Sequence, residues 1–129
     1  MQLAQAQQLV SNAQHAAQRE GFHISVAVVD QAGLQVLFAR MDNTALGTID
    51  VAIKKARTAA LFHTDSAALG SMARAGADLY TLESTNNGMI SFGGGLVIRD
   101  EQGQVIGGLG VAGATLEADE QLAQEALYG

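Results

Sequence analysis

The sequence predicts an α+β domain in which an antiparallel sheet is covered by helices. Three observations lead there. Apolar residues recur at helical spacing near both ends and in the middle of the chain. Two β-rich runs each fold around an Asp-x-x-Gly turn signal. The elements then read helix, hairpin, helices, three strands, helix, an order that lacks the strand–helix alternation of a doubly wound sheet.

Residues 2–20 are the first helix. Leu3, Ala6, Val10, Ala13 and Ala17 make one apolar stripe, and Gly21 supplies the stop. The run ISVAVVDQAGLQVLFARM follows, with Asp30 and Gly33 at the first and fourth positions of a type I turn that closes a hairpin. Helical spacing returns over 48–62 through Ile49, Ile53, Ala56 and Ala60. A further helix is expected from Thr64, as a hydroxyl cap, to about Gly76. The stretch DLYTLESTNNGM is mixed, with Asn86-Asn87-Gly88 as a turn. LVIRDEQGQVIGGLGV repeats the first hairpin's grammar around Asp100 and Gly103. The last helix is expected from about Glu117 to Leu127, capped by Thr115.

Bulk properties narrow the function classes. The 129 residues form one domain, large enough to bury about two-thirds of the unfolded surface. Only 5% of residues are aromatic, so the core must be built from Ala, Val, Leu and Ile. The lack of cysteine excludes disulfides, thiolate metal sites and cysteine nucleophiles, and fits a reducing compartment. A net charge of −6 with scattered basic residues argues against nucleic acid. The start MQLAQAQQLV does not read as a signal peptide, and no apolar run approaches the roughly 20 residues of a membrane span. A cytoplasmic protein is the expectation.

Gly108, Gly110 and Gly113 spell a formal G-x-G-x-x-G. A dinucleotide loop needs a strand after its helix and an acidic residue about 20 positions on, and here one helix ends the sequence. Along 105–112, Gly108, Gly110 and Ala112 instead share a strand face with Ile106, while Val105, Leu109 and Val111 share the other with Gly107. A face of Gly and Ala lets a helix or a flat ligand come close to the backbone. The second glycine cluster, SFGGGL, can make a tight turn or present N–H groups to an anion. It lacks the Gly-Lys-Ser/Thr ending of a phosphate loop.

His15 projects almost opposite the apolar stripe of its helix, beside Ser11 and Arg19. It is either a solvated surface histidine or an outward imidazole able to ligate a metal or haem iron. His23 precedes the first strand, exposed or in a turn, and His63 ends a helix, where an imidazolium suits the dipole. HTDS, residues 63–66, reads as capping chemistry, because neighbours on one helix start do not build a triad. Lys54, Lys55 and Arg57 form the one basic cluster, a solvated helix face or a partner for haem propionates or another anion. Glu117, Asp119 and Glu120 suit the first turn of the last helix.

Four stretches in order, VAVVDQAGLQVLFARMDN, AIKKARTAALF, ISFGGGL and GGLGVAGATLEADEQLA, resemble the GlcG/HbpS family over nearly the whole chain. One departure is Val97, where the family's glycine loop usually continues with proline. The resemblance implies a profilin-like fold, a five-stranded antiparallel sheet flanked by helices, with residues 1–129 as a single domain. Members include haem-binding proteins, some credited with haem degradation, and a domain fused to corrinoid adenosyltransferases. Some lie in operons for glycolate or for cobalamin-dependent diol and glycerol use. Some bind haem through a histidine of the first helix, which His15 matches, and Lys55 and Arg57 of the KARTA stretch are candidates for the ligand's acidic edge. The family tends to self-associate, and helices rich in small residues with a charged fraction of 16% fit a homo-oligomer.

The resulting expectation is a small homo-oligomer that binds haem or a related tetrapyrrole, with His15 as metal ligand and no catalytic residue assigned. The alternative is a non-enzymatic accessory protein of glycerol, diol or glycolate metabolism that needs no haem. An enzyme acting on a small hydroxy acid is the third reading, and no acid–base constellation supports it.

Overall fold

A computed structural model describes the whole chain, Met1–Gly129. The first helix, α1 (Leu3–Glu20), buries Ala6, Leu9, Val10, Ala13, Ala16 and Ala17, while Leu3 stays half-exposed at its start. Gly21 ends it at φ 78°, donating to Gln18 O, while Phe22 N–H reaches Ala17 O at 2.8 Å. This paired closure needs the left-handed region that glycine enters freely.

Strands β1 (Ser25–Asp30), β2 (Gln35–Arg40), β3 (Gly95–Arg99) and β4 (Val105–Ala112) form one antiparallel sheet in the order β2-β1-β4-β3. Its two hairpin turns are built alike. Asp30 Oδ1 accepts from Ala32 N and Leu34 N, and Asp100 Oδ1 accepts from Gln102 N and Gln104 N, each at 2.9–3.0 Å. Gly33 and Gly103 follow at φ 78° and 80°. The carboxylate thus fixes both turns, as the repeated Asp-x-x-Gly grammar predicts.

Alternation divides the sheet's faces. Val26, Val28, Leu96, Ile98, Leu109 and Val111 point toward α1 and the last helix, α4 (Leu116–Tyr128). Ala27, Val29 and Ala112 point toward α2 (Thr48–Phe62), which offers Ala52, Ala56 and Ala60 in return. Gly108 and Gly110 lie beneath α2. A Cβ at Gly108 would run into the Ala56 carbonyl, and one at Gly110 into the Ala52 carbonyl and to 2.7 Å from Ala56 N. Gly108 and Gly110 are therefore strand packed under a helix, as expected, and let two backbones approach, whereas Gly113 lies beyond the end of β4, at φ 130°, against the His23 carbonyl. Thr115 caps α4, accepting from Ala118 N at 3.1 Å.

Two expectations are corrected. The sheet has four strands, not five. In the segment before β3, Ile90 N donates to Thr58 Oγ1 and Ser91 N to the Glu83 carboxylate, at 3.0 and 3.1 Å. These side chains use the donors that a fifth strand would need for its ladder. The helix expected over 64–76 is also replaced, by a 3₁₀ turn at Ser66–Leu69 and a single turn, α3, at Gly70–Ala73. Its start is tied to the free edge of β3, because Asp65 Oδ1 accepts from Val97 N and Ser66 Oγ from Gly95 N, both at 2.9 Å. Capping the sheet edge takes the residues that would have capped a helix.

Candidate functional site around His15

His15 stands on the outward side of α1, exposed, above the buried Ala13, Ala16 and Ala17. Its Nδ1 lies 3.5 Å from Ser11 Oγ, one turn earlier, and its other ring nitrogen has no partner in the chain. The closure at Gly21 turns the chain directly below it into Phe22 and His23. Pairing of β1 with β2 runs past Arg40, because Met41 N donates to Ile24 O at 3.0 Å. Asn43, at φ 66°, then bends the backbone away. These three features leave an open cleft of 520 Å³ beside His15, into which His23, Arg40 and Asp42 also face, with Phe22 and Met41 as its apolar wall. A smaller hollow on the other side of His15 is bordered by Arg19 and Glu125, which are hydrogen-bonded at 2.7 Å.

Lys55 and Arg57 lie elsewhere. Both belong to α2, on the opposite face of the sheet from α1, so within one chain they do not share a site with His15. Lys55 is not part of a solvated face but fully buried. Its ammonium donates to Val111 O at 2.9 Å and to Asp119 Oδ2 at 3.0 Å, with the Phe92 ring centroid 5.2 Å away. Burial lowers its pKa, and the Asp119 charge and hydrogen bond oppose that shift. A charge so placed is stabilised only because it is paired and hydrogen-bonded, and it has no donor directed outward. Arg57 is half-buried and donates to Asn86 O at 2.9 Å. Lys54, also half-buried, pairs with the exposed Asp50 at 2.9 Å.

This pairing explains SFGGGL. Gly94, at φ 118°, leaves room for the Lys55 side chain, whose Nζ would lie 2.7 Å from an added Cβ. Two of the loop's N–H groups are already used, Gly94 N by Glu120 Oε1 and Gly95 N by Ser66 Oγ, both at 2.9 Å. The loop is a turn that makes way for a lysine. Asp119 stands in the first turn of α4, as expected, and is also buried, its Oδ1 accepting from Ala114 N at 2.8 Å while Oδ2 holds Lys55. No pattern in the sequence signals a pair separated by 64 residues. His63 is at the far end of the sheet, where its carbonyl accepts from Arg99 at 2.9 Å. No group of three His, Asp or Glu side chains is placed to hold a metal ion.

With this geometry in hand, comparison with known proteins assigns the family. The model described as "Haem degrading protein HbpS-like" matches residues 1–128, and the chain belongs to this HbpS-like family. Corrinoid adenosyltransferase PduO of Salmonella typhimurium is 38% identical over 122 residues, 93% of this chain but 36% of that enzyme. The chain thus spans about a third of that relative's length. The crystal structure of Klebsiella pneumoniae protein ORFY superposes with a TM-score of 0.95 at 36% identity, covering 99% of this chain and 88% of that one. The crystal structure of a PduOC–haem complex superposes with a TM-score of 0.94 at 33% identity, covering 99% and 93%.

Proposed function

We propose that this protein binds haem or a related tetrapyrrole at the cleft beside His15, with the His15 imidazole as axial ligand. The observation that carries the reading is the exposed imidazole with one ring nitrogen unpartnered, standing at the rim of a 520 Å³ cleft. The residues present suit such a group. A neutral imidazole is a good ligand for iron, Phe22 and Met41 give a tetrapyrrole apolar contact, and Arg40 suits carboxylates. When bound, haem supplies an iron centre whose axial position a histidine can fill. Membership of the HbpS-like family and the likeness to a protein described in complex with haem support the same reading.

The cleft is open, so one chain covers only part of a large flat ligand. A homo-oligomer is therefore part of the proposal, and a second copy is the one route by which Arg57 reaches the ligand's acidic edge. Lys55 acts inside the fold, holding the 91–95 loop and the start of α4. Titration of the purified protein with hemin tests the assignment. Wild type shows an axial-histidine Soret signature, which His15→Ala loses while keeping its fold. A variant that binds hemin with the wild-type spectrum overturns the proposal and leaves a haem-independent accessory role as the better reading.

A further inference from the structure

Arg40 alone among the arginines both lacks a partner within the chain and faces the His15 cleft. Arg19 is held by Glu125, Arg57 by the Asn86 carbonyl, and Arg99 by the carbonyls of Gly103 and His63. Arg40 and Arg74 have no hydrogen-bond or ion-pair partner within the chain, and of these two Arg40 faces the His15 cleft. The sheet register places it there. Arg40 pairs with Ser25 as the last residue of β2, and the Met41–Ile24 hydrogen bond holds that strand end against the chain leaving α1. An exposed guanidinium keeps its fork of donors available for a planar, doubly hydrogen-bonded carboxylate.

We propose that Arg40 selects the ligand's charge, taking a carboxylate at the edge of whatever His15 ligates. This inference rests on the reading of the cleft as a tetrapyrrole site and adds a specificity determinant on a different element. The other charged or titratable groups facing the cleft are His15 and His23 from α1 and the chain that follows it, and Asp42 beyond β2. Asp42 is the opposing charge. It lies two residues from Arg40 without pairing to it, so it repels the same carboxylate that Arg40 attracts. The two side chains therefore make opposite predictions at one site.

The experiment titrates wild type, Arg40→Ala, Asp42→Asn and Arg74→Ala with hemin and with hemin dimethyl ester, whose two carboxylates are blocked. Arg40→Ala is expected to weaken hemin binding about tenfold, the scale of one charge-assisted contact, and to leave ester binding unchanged. Asp42→Asn is expected to tighten hemin binding and not ester binding, and Arg74→Ala to change neither. Because the ester is read on the same protein samples, a general loss of folding shows as a loss with both ligands. Arg40→Ala binding hemin as tightly as wild type overturns the inference, and so does equal weakening toward hemin and ester. Adding His15→Ala separates the two levels. If its hemin spectrum is that of wild type, the ligand assignment falls. If the His15 signature is lost while Arg40→Ala has no effect, only the role of Arg40 falls.

Discussion

The two faces of the sheet are packed by different rules. Toward α1 and α4 the contacts are made by Val, Leu and Ile side chains, whose volumes interdigitate. Toward α2 the centre of the contact has little side chain to interdigitate, with Val29 and Phe38 among the few larger groups. Alanines at 52, 56 and 60 rest on Gly108, Gly110, Ala27 and Ala112, and helix backbone approaches sheet backbone. The first face can yield by rotamer changes. At Gly108 and Gly110 the second has only backbone at the contact, so an added carbon meets carbonyl oxygens. The Lys55–Asp119 pair joins the layers, linking α2 to the start of α4 past Gly94.

This contrast orders the expected effects of substitution. Asp119→Ala leaves the Lys55 ammonium buried with only the Val111 carbonyl and the Phe92 ring, and should cost about 3–5 kcal/mol. Urea unfolding measures it, and a loss below about 1 kcal/mol would show the pair to be dispensable. Gly110→Ala adds one methyl group to the tight face and should cost about 3 kcal/mol, the upper part of the usual range for overpacking. Ile98→Val removes one methylene from the yielding face and should cost about 1 kcal/mol. If Gly110→Ala is milder than Ile98→Val in the same denaturation series, the distinction between the faces fails.

A gentler probe is pH. Burial holds the native Lys55 pKa below its ordinary 10.5, so between the native value and 10.5 the unfolded state binds more protons. Stability from this group therefore rises with pH across that alkaline window, and below it the cost of burying the ammonium is constant. Lys55→Met should flatten the slope, which paired urea midpoints along an alkaline series would show. The smallest effect belongs to His15→Ala. His15 stands on neither packed face, and the variant's stability, measured by thermal unfolding, should match wild type within about 0.5 kcal/mol.

Much of this architecture is legible in local pattern. The Asp-x-x-Gly turns, the Gly21 stop, the Thr115 cap and the glycine face of β4 each depend on residues close in sequence, and each is found where it is read. What escapes local reading is long-range use of side chains. Asp65 and Ser66 look like helix-capping residues but cap the edge of β3, and the missing fifth strand gives its donors to Thr58 and Glu83. The site divides the same way. An outward His15 follows from helical projection, whereas Arg40 enters the cleft only through the register of β2 on β1. Lys55 and Arg57, adjacent to the same basic run, separate because a helix turns one inward and the other toward its rim.

The Lys55–Asp119 bond also makes distant parts of the chain depend on each other. It closes a loop of 64 residues between α2 and α4, with Gly94 and the Val111 carbonyl beside the ammonium. Without Asp119 the folded chain would hold a buried cation with no counter-ion, so removing α4 is expected to weaken the middle of the chain as well as its end. The last helix thus supplies the counter-charge for a lysine that the middle of the chain holds in its interior.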